Sequence, residues 1–166
     1  AVYASCYTGA DYTFWFKEGF APEDGSSVEE FFGKFLTFCK NETIPFVKQT
    51  KKGERTVDLR PLICEARIAE RKEYVPAMVA DWYPDLENET VEEEKQAEGI
   101  CVFLRLLSGS AANGKPEQVL QAFYESLGLT YRPFAIQVER EELYADEGAE
   151  GTPEYVTLDA YGSEIV

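Results

Sequence analysis

The chain has 166 residues, of which 45% are hydrophobic and 14% aromatic, and 31 acidic side chains against 16 basic ones give a net charge of −15. This composition excludes a disordered chain, and neither an apolar run of about 20 residues nor a signal-peptide pattern is present. The negative charge disfavours direct nucleic-acid binding, and the absence of histidine excludes Ser-His-Asp, Cys-His and zinc-hydrolase chemistry.

The first predicted elements are a strand and a helix. Alternating side chains over 11–17 predict a strand with one buried face, whereas 1–10 is left uncertain. Ser27 and Glu30 form a capping box, from which a helix runs to about Asn41. Its apolar residues recur at helical spacing and predict that it packs on a sheet.

A charged hairpin is predicted next. Residues 43–50 and 55–59 read as two strands joined by a turn around Gly53, and Pro61 interrupts regular pairing near Arg60. Residues 65–72 fit either a strand or a helix. The glutamate-rich stretch at about 85–98 reads as a solvated acidic insertion.

The second half repeats the pattern of strand and helix. Residues 99–110 predict a central strand, after which Pro116 begins a helix that Gly128 ends. A further strand covers 134–138, the single domain spans 11–144, and 145–166 is an acidic tail with one edge strand near 154–158. Two helices on one face of a mainly antiparallel sheet predict an α+β fold of the ferredoxin-like, split βαβ type.

A basic segment stands out from this acidic chain. Residues 48–72 hold eight basic side chains against four acidic ones, a net charge of +4, so the remainder carries −19. We single out a candidate partner-binding set within it, namely Lys51, Lys52, Arg55, Asp58 and Arg60. Two interpretations stay open: Asp58 pairs with an arginine or accepts backbone amides at the bend, or the arginines and lysines face outward and dock a partner or its RNA substrate.

A second candidate site is the loop before the second helix. It would bind an anion or small ligand through Ser108, Ser110, Asn113 and Lys115, because a helix start attracts anions. With such a site, the alternative function of the chain is that of a small-molecule or nucleotide-binding sensor domain. Its spacing matches neither the Walker motif nor the dinucleotide fingerprint, so a plain strand-to-helix turn is the alternative. Paired carboxylates could also support an enzyme, but no catalytic constellation is visible, and we expect no catalytic residue and no bound metal.

The remaining candidates are aromatics and cysteines. Trp15, Trp82 and Tyr83 are candidate exposed aromatics, and the segment 81–85 around the latter two either packs over a sheet edge or forms a docking patch for another protein. The cysteines at positions 6, 39, 64 and 101 form no CxxC motif and read as reduced thiols in a cytoplasmic protein.

Three stretches together resemble the C-terminal part of the radical-SAM-linked protein family of bacteria. They are IPFVKQTKKGERTVDLRPLI (44–63), LRLLSGSAANGKPEQVLQAF (104–123) and EREELY (139–144). A fourth stretch, the strand ADYTF (10–14), fits its place before the first helix, and the similarity covers about 10–145. It implies a further N-terminal region and a partner, a radical SAM enzyme with a cobalamin-binding region. The iron–sulfur cluster, SAM and cobalamin are then expected on that partner, with no cofactor on this chain. The resemblance implies a non-catalytic accessory domain, with RNA modification as the associated pathway, and it supplies no catalytic residues.

Overall fold

The computed structural model describes residues 8–71, 99–109, 112–146 and 154–157 of the chain. Its elements in chain order are β1 (Thr8–Phe16), α1 (Val28–Cys39), β2 (Pro45–Thr50), β3 (Gly53–Asp58), a 3₁₀ turn (Arg60–Leu62), β4 (Ile63–Glu70), β5 (Ile100–Leu107), α2 (Pro116–Ser126), a second 3₁₀ turn (Pro133–Ala135), β6 (Ile136–Asp146) and β7 (Tyr155–Thr157).

The main sheet has five strands in the order β4-β5-β1-β6-β7, and every neighbouring pair is antiparallel. The chain passes from β1 through α1 to β4, and from β5 through α2 to β6. These are the two interleaved βαβ units of a ferredoxin-like fold, so the predicted fold class is confirmed. The strand predicted in the acidic tail is also present, because β7 forms an edge of this sheet.

The hydrophobic core lies between the sheet and the two helices. The Ser27 side chain accepts the Glu30 amide, and the Glu30 carboxylate accepts the Ser27 amide, so the predicted capping box starts α1. One face of α1 buries three phenylalanines against β1, where the ring of Phe14 meets Phe35 edge-on at 5.1 Å. Such edge-to-face pairs add to the free energy gained by burying the rings.

The second helix starts and ends as predicted. Pro116 occupies its first turn, and Gly128 follows its last residues with φ of 71°, a conformation that favours glycine. Phe123 lies between the helices, 5.1 Å from the ring of Phe31 and 5.3 Å from that of Phe35. The two helices therefore share one aromatic core.

Two segments differ from the simplest reading of the sequence. The ambiguous stretch after Pro61 is a strand, β4, because it pairs with β5 from Ile63 to Glu70. The predicted hairpin does not join the main sheet: β2 and β3 pair only with each other and form a separate two-stranded sheet between α1 and β4. The hairpin is thus an insertion into the first βαβ unit.

The sheet face opposite the helices carries an internal ion pair. Arg105 on β5 donates from Nε to Asp11 Oδ1 at 2.6 Å and from Nη2 to Asp11 Oδ2 at 3.0 Å. Asp11 is almost fully buried, and the hydrogen bonds from Arg105 to it raise the pKa of the guanidinium. The Arg105 guanidinium also lies over the rings of Phe103 and Tyr144.

One of the candidate aromatic residues, Trp15, is not exposed as predicted. The sequence predicts an exposed Trp15, but this side chain is only 9% exposed, and the Arg71 guanidinium lies 4.2 Å from the centre of its ring. It is a packing residue of the sheet. The other two candidates, Trp82 and Tyr83, lie outside the described residues, as does the predicted acidic insertion.

Candidate functional site

The hairpin formed by β2 and β3, which we call the basic ribbon (residues 45–58), is anchored at its base by the core. Ile44 and Leu59 are each 1% exposed, Phe46 is buried, and the Leu59 amide donates to the Ile44 carbonyl at 2.8 Å. The strands continue outward from this base, and 47–56 carries exposed side chains throughout. The ribbon is therefore anchored in the core at its base and exposed to solvent toward its tip.

Two of the five predicted partner-binding residues build this base. The Asp58 carboxylate accepts the Ile44 amide at 2.7 Å and the Arg60 amide at 3.0 Å. Arg60 in turn donates from Nη1 to the Ile63 carbonyl at 3.2 Å. Of the two interpretations, the structure thus shows Asp58 accepting backbone amides at the bend, and these contacts fix the angle at which the ribbon leaves the core.

The other three predicted residues, Lys51, Lys52 and Arg55, lie at the exposed end of the ribbon. Gly53 closes the turn with φ of 119°, a backbone conformation that residues other than glycine rarely adopt. The Thr50 hydroxyl donates to the Gly53 carbonyl at 2.7 Å and so holds the turn. The two lysines are therefore presented side by side at the tip.

Strand register adds a fourth cation to this group. Lys48 on β2 lies directly opposite Arg55 on β3, whereas the next pair outward, Gln49 and Glu54, joins through a hydrogen bond of 2.8 Å. Like charges directly opposite each other destabilise a hairpin. The sequence contained the signal for Lys48, since a turn at 51–52 pairs positions 48 and 55, but we placed it in the basic segment without assigning it to the site.

None of these four cations is neutralised within the part of the chain that the structure describes. The ion pairs there join Lys34 to Asp24, Arg67 to Glu65, Arg105 to Asp11 and Glu65, and Arg132 to Glu23. Within the described residues, the ribbon is thus a cluster of four cations with no carboxylate in an ion pair with any of them. An arrangement of this kind attracts an external anionic group.

The second predicted site, the loop from Ser108 to Lys115, is closed by backbone hydrogen bonds of its own. The Gly109 amide donates to the Ala112 carbonyl at 2.9 Å, and the Gly114 amide donates to the Leu107 carbonyl at 2.7 Å. Both glycine amides are thus used inside the loop and are not free to bind an anion. Gly114 is required sterically, because a Cβ there would lie 2.9 Å from Leu106 Cβ.

The structure brings together two of the four residues predicted for this loop site. Ser108 and Asn113 face each other as a single antiparallel bridge, Lys115 is exposed, and Ser110 lies outside the described residues. Glu117 occupies the first turn of α2, where its negative charge opposes anion binding. A tight turn accounts for this geometry more fully than a ligand cradle.

The fold brings the two predicted sites to the same end of the molecule. Ile63, three residues after Arg60, is aligned with Leu106, and the loop begins two residues after Leu106. The helix α2 that follows the loop contacts β2. The two predicted sites therefore lie near each other at this end of the molecule.

Two cysteine thiols among the described residues are made less reactive by burial. Burial raises the pKa of the Cys39 thiol to about 12 and also raises the pKa of Cys101. Cys39 and Cys101 are buried free thiols. No group of three His, Cys, Asp or Glu side chains among the described residues is placed to hold a metal ion.

The described helices are also too short or too polar to span a membrane. No protein-family model, curated protein or solved structure matches this chain. The candidate site is therefore built from geometry and charge.

Proposed function

We propose that this chain is a non-catalytic accessory domain that docks onto an acidic surface of a partner protein through the basic ribbon. The observation that carries the proposal is the direct opposition of Lys48 and Arg55 on a projecting hairpin without a counterion among the described residues. The opposed charges raise the free energy of the isolated hairpin, and an acidic partner would remove this cost.

The length of the ribbon favours docking at a distance from the acidic body. Thr50 lies four residue steps beyond Phe46 on β2, which places the turn about 13 Å beyond the core. Salt screens charges over roughly 8 Å at physiological ionic strength. The local positive charge of Lys51 and Lys52 therefore dominates the field that a partner meets at the tip.

A protein surface suits the ribbon better than a nucleic acid does. The single aromatic residue of β2 and β3 is Phe46, which is buried, so the ribbon offers no ring on which a base could stack. The net charge of −15 also repels a phosphate backbone as it approaches. Val47, 49% exposed, instead adds apolar area of the kind found in protein interfaces.

The partner that we propose is the cobalamin-binding radical SAM enzyme implied by the sequence resemblance, acting in the cytoplasm. The iron–sulfur cluster, SAM and cobalamin would belong to that enzyme. The pathway, RNA modification, rests on the resemblance alone. This chain would contribute affinity and placement rather than chemistry.

The test is co-purification of the chain with the radical SAM protein encoded beside it. Changing Lys48, Lys51, Lys52 and Arg55 to Glu should abolish the complex. Four positive charges become negative, which changes the net charge of one surface by eight units. Arg60 is left intact, since it supports the base of the ribbon. Lys115→Glu is the matched control at the same end of the molecule, and it should weaken the complex little.

Two results would contradict the proposal. A complex that survives the fourfold reversal would remove the ribbon from the interface. Loss of the complex on Lys115→Glu alone would move the site to the Ser108–Lys115 loop. A far-UV circular dichroism spectrum like that of the wild type would show that each variant is folded.

A further inference from the structure

The outer edges of the basic ribbon pair with no other strand among the described residues. The Leu59 amide bonds to the Ile44 carbonyl, and hydrogen-bonded pairs alternate along an antiparallel ladder, so Lys48 and Arg55 also exchange backbone bonds. The residues between them, Val47 and Gln49 on β2, therefore direct their amides and carbonyls away from β3. Neither has another backbone partner within the described part of the chain.

The same alternation leaves Glu54 and Thr56 directed outward from β3, so the ribbon has two free edges that differ in charge. The strand β2 contains no acidic residue, whereas β3 contains Glu54 and Asp58. An acidic chain lying beside β2 would meet Lys48 and no carboxylate of that strand. An acidic chain lying beside β3 would meet Glu54.

The two faces of the ribbon also differ. Side chains alternate along a strand, so Lys48 and Arg55 project from one face, and Val47 and Thr56 project from the other. A segment added beside β2 would best match this pattern if acidic and apolar side chains alternated along it. Self-association is disfavoured by the same charges, because two ribbons placed edge to edge would bring Lys48 toward another Lys48.

We infer that the ribbon captures an acidic, extended segment of its partner by strand addition to the free edge of β2, with carboxylates beside Lys48 and apolar side chains beside Val47. Arg55, one strand further from the added segment, contributes positive charge on the same face as Lys48. This inference rests on the proposed function and specifies its chemistry. The backbone of Val47 and Gln49 would supply the hydrogen bonds, and the cations would select the sign of the segment.

The probe is an acetylated, amidated peptide of about eight residues that alternates Glu and Val. We expect saturable binding to the wild type in calorimetry, with amide exchange slowed at Val47 and Gln49. A Lys-Val peptide of equal length should not bind. Failure of the Glu-Val peptide to bind the wild type at millimolar concentration would overturn the inference.

Proline variants separate strand addition from simple charge attraction. Gln49→Pro removes an outward amide from β2 without touching the backbone hydrogen bonds between the strands, and it should weaken peptide binding at least about tenfold. Gln49→Ala controls for the lost side chain, and Thr56→Pro places the same change on the β3 edge. Both controls should bind like the wild type.

The outcomes distinguish this inference from the proposed function. If Lys48→Glu with Arg55→Glu abolishes binding but Gln49→Pro does not, the ribbon docks by charge alone, and strand addition is wrong. If Thr56→Pro weakens binding instead, the assignment to β2 is wrong. Binding of duplex RNA that is insensitive to Gln49→Pro, in place of peptide binding, would also overturn it. Retention of the Leu59 amide resonance in each variant shows that the ribbon base is folded.

Discussion

Removing Asp11 should destabilise the protein by about 3 kcal/mol, because this carboxylate neutralises Arg105 at the centre of the sheet. Its side chain is only 5% exposed and accepts two charge-assisted hydrogen bonds from the guanidinium. Breaking a buried ion pair by deleting one partner costs about 3–5 kcal/mol. We take the lower end, because Arg105 keeps 24% of its side-chain area in water and has Glu65 at 3.9 Å.

The assay is urea denaturation of Asp11→Ala followed by far-UV circular dichroism. With an m-value of about 2 kcal/mol per molar urea, a loss of about 3 kcal/mol lowers the midpoint by about 1.5 M. Arg105→Ala and the double variant complete a thermodynamic cycle, and we expect a coupling energy of about 2 kcal/mol between the two positions. A midpoint shift below about 0.5 M, or additive single changes, would refute the reasoning.

Three further predictions concern other parts of the fold. Gly114→Ala should lower stability by about 1–3 kcal/mol in thermal denaturation, because the added Cβ would lie 2.9 Å from Leu106 Cβ; an unchanged melting temperature would show that the loop yields freely. Cys39 should resist a disulfide reagent at pH 8 until the protein unfolds, because a pKa of about 12 leaves roughly one thiol in ten thousand ionised. The hydrogen bonds from Lys34 and Ser26 hold the pKa of Asp24 at about 2, so the contact stabilises the fold above the unfolded pKa near 4 and is lost as the pH falls toward 2; in an NMR titration, Lys34→Met should move the Asp24 midpoint upward.

The helices and their ends could be predicted from the sequence because their signals are local. The Ser27–Glu30 capping box, the apolar stripe of α1 and the Pro116 and Gly128 boundaries of α2 each depend on a few neighbouring residues. The ferredoxin-like order followed from the sequence of elements. Local signals of this kind survive in the fold because they agree with its packing.

Long-range contacts could not be predicted in the same way. Arg105 read as a polar interruption of a buried strand, since its partner Asp11 is 94 positions away in the sequence. Trp15 read as exposed because its cover, the Arg71 side chain, comes from the strand at the far edge of the sheet. The strand β4 was ambiguous for the same reason, because its pairing with β5 decides its conformation.

The basic segment 48–72 separates into two parts once its neighbours are known. On β4 and just after it, Arg67 pairs with Glu65 and lies over Phe103, and Arg71 lies over Trp15, so these charges stabilise the sheet. On the ribbon, the cations have no such contacts among the described residues. If these residues were only a general excess of surface charge, we would not expect the cations with contacts and those without contacts to lie on different elements.

The division has a consequence for how the protein would evolve or be engineered. Neutralising the arginines of β4 removes contacts that hold the sheet, and the loss should appear as stability. Neutralising Lys48 and Arg55 removes a repulsion between opposed strands, so the isolated domain should become slightly more stable while the ability to bind an acidic partner falls. A site that lowers the stability of its own fold and is relieved by a ligand is the physical signature expected of a binding surface.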